Sequence, residues 1–177
     1  MPYTPPTSGS SNWDVTLNAA LSDINDDVVA AQADADSATT AAAAAQQDVD
    51  DALAGGGASV ATSQDQTGTS YGDLATVGPS VTVTLAEART AIIFMKVDMS
   101  NATTADDVWV SYAVSGATTI AANDARALRH NGSGGVQSYT AFETASLSAG
   151  ANTIKLQYRV DGGTGRYVNR QIAVIVT

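Results

Sequence analysis

Cysteine is absent from the 177 residues. That excludes disulfide scaffolds, thiolate metal sites and cysteine nucleophiles, and leaves the redox compartment unspecified. Cations are scarce: eight Lys and Arg stand against 18 Asp and Glu, a formal charge of −10. Phosphate contacts need clustered Lys and Arg, so a general nucleic-acid binder is excluded. Charged residues make up only 15% and aromatics 6%, the former well under the usual quarter. No apolar run approaches the roughly 18 residues that cross a bilayer, and Met1–Ser10 has neither basic residues nor an apolar stretch. Neither a membrane span nor a secretory signal is therefore expected.

The charge is unevenly placed. Residues 1–88 hold 12 acidic residues and no Lys or Arg, while all eight basic residues and six acidic ones lie from Arg89 onward. The two parts carry about −12 and +2, a division that marks separate units. Composition changes close to the same place. Asn12–Ala54 is rich in Ala and Asp and free of Gly and Pro. After Gly55-Gly56-Gly57 the chain turns to Val, Thr, Ser and Gly, the residues of strands and turns. The expected layout is an extended arm over 1–11, a helix over 12–54, a glycine hinge over 55–59 and a β domain over 60–177.

The arm carries Pro2, Pro5, Pro6 and Gly9, which deny it a helix of its own. Asn12 is a good N-cap residue, and Asp14 suits the positive end of the helix dipole. From there an unbroken heptad runs. Leu21, Val28, Ala35, Ala42 and Val49 take a; Leu17, Ile24, Ala31, Ala38, Ala45 and Ala52 take d. Apolar a and d sites sustained over about five heptads predict a coiled coil. In the alanine-rich middle other registers also read as apolar, so Leu, Ile and Val at the two ends set the phase.

The flanks of the seam orient the partners. The e sites Asn18, Asn25, Gln32, Thr39 and Gln46 are polar and uncharged, while g includes Asp27, Asp34 and Asp48. In a parallel bundle g faces e, so each of these carboxylates meets an amide or hydroxyl. An antiparallel pair would set g against g, carboxylate on carboxylate, with no cation on either helix. A parallel homo-oligomer is expected. Some 40 helical residues make a rod of about 60 Å. An alanine seam buries about one methyl per site, on the order of 0.8 kcal/mol each. The seam is thus weak, leaves dimer and trimer open, and points to the C-terminal domain as a second source of association.

That domain shows strand-like runs at Val81–Ala86, Thr90–Met99, Val108–Ser115, Val136–Thr144, Asn152–Val160 and Tyr167–Val176, with weaker ones near Val60–Gln66 and Ala125–His130. Turn signals separate them and no helix intervenes, which predicts an antiparallel all-β sandwich of jelly-roll type. Alternation assigns Val108, Val110, Tyr112 and Val114 to the core, together with Ile154, Leu156, Tyr158 and Val160. Val81, Val83 and Leu85 join them, as do Ile93, Met95, Val97 and Met99. Phe94 and Trp109 fall on the opposite faces, where they cover a neighbouring subunit or form a ligand platform, the former being the favoured reading. Tyr139 and Tyr167 are further candidates for an exposed contact or ligand surface.

Catalytic constellations are missing. The single histidine, His130, beside a glycine-rich loop, reads as a surface or interface residue rather than a general base. No Gly-x-Ser-x-Gly elbow surrounds a serine, and zinc ligands are lacking. Asp106-Asp107 and Asp34-x-Asp36 lack the Gly and distal Glu of an EF-hand loop. Gly132–Gly135 and Gly162–Gly165 lack the Lys of a phosphate loop and read as hairpin turns. With only Glu87 and Glu143 as glutamates, nothing supports paired-carboxylate chemistry. The reading is a non-enzyme without metal or cofactor.

Two segments carry a family resemblance. Ser11-Asn12-Trp13-Asp14-Val15-Thr16-Leu17-Asn18-Ala19-Ala20-Leu21 looks like the start of minor tail and fibre proteins of tailed bacteriophages. Leu147–Val160, with Gly162-Gly163-Thr164-Gly165 and Asn169-Arg170 after it, resembles the last strands of fibre-knob sandwiches. The resemblance implies a homotrimer in the virion, docked to capsid or tail proteins through residues 1–11, with a knob that contacts the host surface, for example a glycan. It leaves head fibre and tail fibre both open and supplies no binding residue. A free carbohydrate-binding or recognition module on an oligomerising stalk is the rival reading, and a bacterial surface adhesin lacks the expected signal.

Overall fold

The computed structural model describes residues 12–53, 55–101, 106–132 and 135–177, and the side chains of 17–50 and 55 onward within them. The expected arm over 1–11 lies outside the described residues. The chain divides into two units, Met1–Gln46 and Gln47–Thr177.

The long element is α1 (Asn12–Leu53), one uninterrupted helix of 42 residues. Alanine supplies its propensity, and no Gly or Pro interrupts it. Ser37, Thr39 and Thr40, poor helix formers, donate their hydroxyls back to the carbonyls of Ala33, Ala35 and Asp36, each at 2.9 Å. Every described side chain of this helix is exposed on the single chain.

Among the described residues nine strands follow: β1 (Gly56–Val60), β2 (Gln64–Gln66), β3 (Ser80–Leu85), β4 (Arg89–Asn101), β5 (Val108–Gly116), β6 (Leu128–His130), β7 (Gln137–Leu147), β8 (Gly150–Val160) and β9 (Gly165–Val176). One sheet runs β1-β9-β4-β7, with β2 also on β9; the other runs β3-β8-β5-β6. The antiparallel pairs β1/β9, β3/β8, β4/β7 and β5/β6 nest inside one another. That is a hairpin of the whole domain rolled into two sheets, the jelly-roll arrangement.

The alternating residues named from the sequence line the core as expected. Val83, Ile93, Met95, Val97, Val110, Tyr112, Ile154, Leu156 and Tyr158 are all buried between the sheets.

The glycine run differs from expectation. Gly56–Val60 is not a hinge but strand β1, paired with Val174 through Arg170 of β9. Glycine is required there for a different reason: a Cβ on Gly55 would stand 2.4 Å from the Val174 carbonyl oxygen. Gly55 thus admits a close approach of the β9 backbone.

Strand β9 changes phase midway. Lys96 pairs with Gln171 but Asp98 pairs with Val168, so Asn169 and Arg170 together oppose Val97. This β-bulge inserts one residue, with Asn169 at φ 50°, a left-handed conformation that Asn accepts more readily than most residues. Tyr167 therefore points inward on one side of the bulge and Arg170, Ile172, Val174 and Val176 on the other.

Arg170 is fully buried as a result. Its Nη1 donates to the carbonyls of Gly78 at 3.1 Å and Thr76 at 3.3 Å; its Nη2 donates to the Thr62 carbonyl and Gln64 Oε1, both at 3.3 Å. The guanidinium thereby ties the end of the long segment between β2 and β3 to the chain around the start of β2.

Candidate functional site

Three surfaces bear on function: the helix seam and the outer faces of the two sheets. On α1, Leu17, Leu21, Ile24, Val28 and Val49 are between 51% and 61% exposed, and Ala31, Ala35, Ala38, Ala42 and Ala45 are exposed with them. The side chain of Ala52 lies outside the described residues. Gln32 at an e site donates to Asp36 at 2.9 Å, so a seam-flanking amide is held along its own helix.

The outer face of the β3-β8-β5-β6 sheet is built around Trp109. Register places Arg129 of β6 and Arg159 of β8 on either side of it. Their guanidinium carbons lie 5.1 and 4.8 Å from the indole centroid, within cation–π range. The indole Nε1 donates to Asp161 at 3.1 Å.

Arg159 also sits 5.5 Å from the Tyr71 ring. It grips Asp124 with two bonds, Nε to Oδ1 at 2.9 Å and Nη2 to Oδ2 at 2.7 Å, and pairs with Asp161. Arg129 pairs with Asp107 at 2.5 Å. Hydrogen bonds from Arg159 hold the Asp124 carboxyl below the usual carboxylate range. Burial, followed by its bond to Asp124, pushes the Tyr71 phenol up. Trp109 is therefore not a free ligand platform, the alternative to a subunit contact in the sequence reading. Its partners are arginines of its own sheet, and every cation in this row has a carboxylate.

The two tyrosines are likewise placed elsewhere. Tyr167 is 0% exposed, edge-on to Tyr158 at 4.9 Å, and donates to the Arg159 carbonyl at 2.6 Å. The bulge at Asn169 is the physical reason, since it sets the parity of β9. Tyr139 is half-buried on the core side of β7 and donates to Gln137 Oε1 at 2.7 Å. His130, expected at the surface, is buried, with Nδ1 3.0 Å from the Tyr139 hydroxyl. Residues on neighbouring strands thus form an internal polar chain, not a binding face.

The outer face of the β1-β9-β4-β7 sheet is different. Cross-strand register lays three rows over it: Ile175 and Ile92 with Thr144; Gly57, Ala173, Phe94 and Phe142; and Ser59, Gln171, Lys96 and Thr140. Phe142 is 65%, Ile175 49% and Phe94 38% exposed. The two phenylalanine rings lie 6.1 Å apart, inclined at 42°. Small side chains at Gly57, Ser59 and Ala173 leave an open groove of about 470 Å³ beside Phe94 and Lys96.

Phe94 thus faces outward as read from its strand, but Phe142 and Ile175 were missed. The signal for Phe142 was available, because Ser138, Thr140 and Thr144 share its parity on β7. That of Ile175 depended on the bulge. Among the described residues no three His, Asp or Glu side chains converge on a common point, and no described helix is long and apolar enough to cross a membrane.

No protein-family model matches the chain, and no curated protein sequence matches it significantly. Among solved structures, the β domain is similar to the Eiger TNF of S. frugiperda, with 10% identity and a TM-score of 0.43, over 67% of this chain and 90% of that one. It is similar to a chain of infectious bursal disease virus, Gx strain, with 10% identity and a TM-score of 0.41 over 70% of this chain; it spans 32% of that chain. A family 35 carbohydrate binding module from an environmental isolate matches at 13% identity and a TM-score of 0.33, over 69% of this chain and 92% of that one.

Proposed function

We propose that this chain is a non-enzymatic structural fibre of a tailed-phage particle. Parallel helices form the stalk of a homotrimer, residues 1–11 dock the stalk to capsid or tail proteins, and the jelly roll is displayed as a knob for host-surface contact. The observation that carries the stalk is the seam: a heptad stripe of Leu, Ile, Val and Ala over α1, all of it solvent-exposed on one chain where described. A stripe of that length is stable in water only against another apolar stripe. The virion setting and the number three rest on the resemblance to tailed-phage fibres. A knob held in three copies would turn weak glycan contacts into firm attachment through avidity.

Sedimentation equilibrium tests the stalk. The full chain is expected at three times the chain mass, and Leu21→Asp with Ile24→Asp is expected to lower that mass toward one. A wild-type chain sedimenting as a single copy at micromolar concentration overturns the reading. Deleting residues 1–11 is expected to leave the trimer intact and abolish incorporation into particles; normal incorporation overturns the docking role.

The groove beside Phe94 favours a second reading, a free oligomeric carbohydrate-binding module. An aromatic edge with Lys96, Gln171 and Thr140 is a combination that saccharides use. A glycan array separates the two, since the module binds without any particle.

A further inference from the structure

We propose that the outer face of the β1-β9-β4-β7 sheet is where the knobs of neighbouring copies of this chain meet. Phe142 of one copy seats in the groove beside Phe94 of the next. The proposal rests on the parallel-oligomer reading above and supplies the second contact that its weak alanine seam requires.

Three observations point to a second copy as the occupant, and a fourth limits what the contact can do. The first is apolar exposure. Phe94, Phe142 and Ile175 stand on one face, while the other exposed large hydrophobics described in the knob, Val77 and Val136, lie in loops. The second is charge. On a chain of net −10, the rows of this face carry only Lys96, with Asp98 at their border on β4. Like-charged copies can approach here with little repulsion and little desolvation. The opposite sheet's aromatic face is instead occupied by its own arginine–carboxylate pairs.

The third observation is chain connection. From Val49 on the seam to Gly56 at the start of β1 there are four helical steps and three others, a reach of about 16 Å. The chain thus limits each β1 to within about 16 Å of its own Val49. The fourth is size and polarity. The face measures roughly 15 by 20 Å from strand spacing and rise, about 300 Å², against about 800 Å² per partner in a stable interface. It cannot hold copies together alone, but it complements a seam that also needs help.

The contact is heterologous. Phe142 stands on edge strand β7, and the groove crosses the sheet from Thr140 of β7 over β4 and β9 to edge strand β1. A knob donates at one edge and accepts at the other, as a closed ring about the stalk axis requires.

The absence of cysteine makes the test direct. In the full-length chain, Thr144→Cys on the proposed face and Thr84→Cys on the opposite sheet are labelled with a maleimide, and each variant's mass is taken by sedimentation equilibrium. The expected result is an oligomeric mass with Thr144→Cys reacting at least tenfold more slowly than Thr84→Cys. Adding Phe142→Asp should remove that protection, read at a chain concentration where the sedimenting mass is still oligomeric. Equal labelling rates in an oligomer overturn the face assignment and leave the stalk standing. A single-chain mass overturns both. Saccharide binding by the wild-type oligomer that is lost in Phe94→Ala assigns the groove to a sugar and likewise overturns the proposal.

Discussion

Asn169 donates its side-chain amide to Asp98 Oδ2 across β9 and β4 at 2.7 Å, from a backbone φ of 50°. That bond sits on the bulge that turns Arg170 into the core and Tyr167 with it. One residue in an unusual conformation thus decides which side chains of the last strand are inside.

Substitution at Asn169 should report this directly. Glycine accepts left-handed backbone freely, so Asn169→Gly is expected to lose only what the bond to Asp98 contributes, about 0.5–1.5 kcal/mol. Asn169→Val must place a β-branched residue there and should lose about 1–2 kcal/mol, with more from the lost bond to Asp98. Urea midpoints at unchanged m-value check both.

Arg170 satisfies the Thr76 and Gly78 carbonyls of the segment between β2 and β3, the Thr62 carbonyl ahead of β2 and the side-chain oxygen of Gln64 in β2. Arg170→Met fills similar space but leaves buried acceptors unpaired, each costing on the order of 1–3 kcal/mol. A loss of roughly 3 kcal/mol is expected by urea unfolding, with earlier proteolytic cleavage within residues 67–78. Unchanged stability would show that these carbonyls find other donors.

Alkaline pH should unfold the domain in a defined window. Burial pushes the Tyr158 phenol up to about 12, and its hydroxyl donates to the Gly78 carbonyl at 2.9 Å. Burial also raises Tyr167 and Tyr112. An unfolded tyrosine ionises near about 10. The raised folded value means that stability is intact below pH about 10 and is lost as pH climbs from there through about 12. Absorbance at 295 nm should show these phenols titrating late, together with the loss of the strand circular-dichroism signal. Titration of all tyrosines near 10 with the fold retained would contradict the packing.

On the acid side the sign is reversed. Asp124, bonded to Arg159, and Asp98, bonded to Asn169 and Ser138, both sit below the ordinary carboxylate range. Their contribution is present above pH about 4 and declines as pH falls through their folded values. Asp124→Asn should flatten that part of the acid limb of a stability-against-pH curve and leave the alkaline limb unchanged. An unaltered acid limb would mean that the Arg159 bonds contribute nothing measurable.

Much of the fold was legible because its signals are local. Heptad spacing marks α1 without tertiary information, and period-two alternation in β3, β4, β5 and β8 sorts core from surface, residue by residue. Phe94 is outward for that reason. The misreadings share a cause. Composition at Gly55–Gly57 looks like a hinge, yet what demands glycine is a β9 carbonyl far away in sequence. Trp109 is outward as alternation requires, but the arginines beside it come from β6 and β8. His130 and Tyr139 meet only because β6 and β7 come together. The parity break between Tyr167 and Ile172 was present in the sequence, and Asn169 between them is the residue that a bulge favours.

Periodicity, charge segregation and the scarcity of reactive groups settled from sequence alone a long apolar-striped helix followed by an antiparallel β domain, because each is a property of neighbouring residues. Tertiary structure alone decided which aromatic faces remain open. Whether a ring is covered depends on what strand register brings from distant parts of the chain, and here it brings arginines to Trp109, a bulge to Tyr167, and only small side chains to the groove beside Phe94.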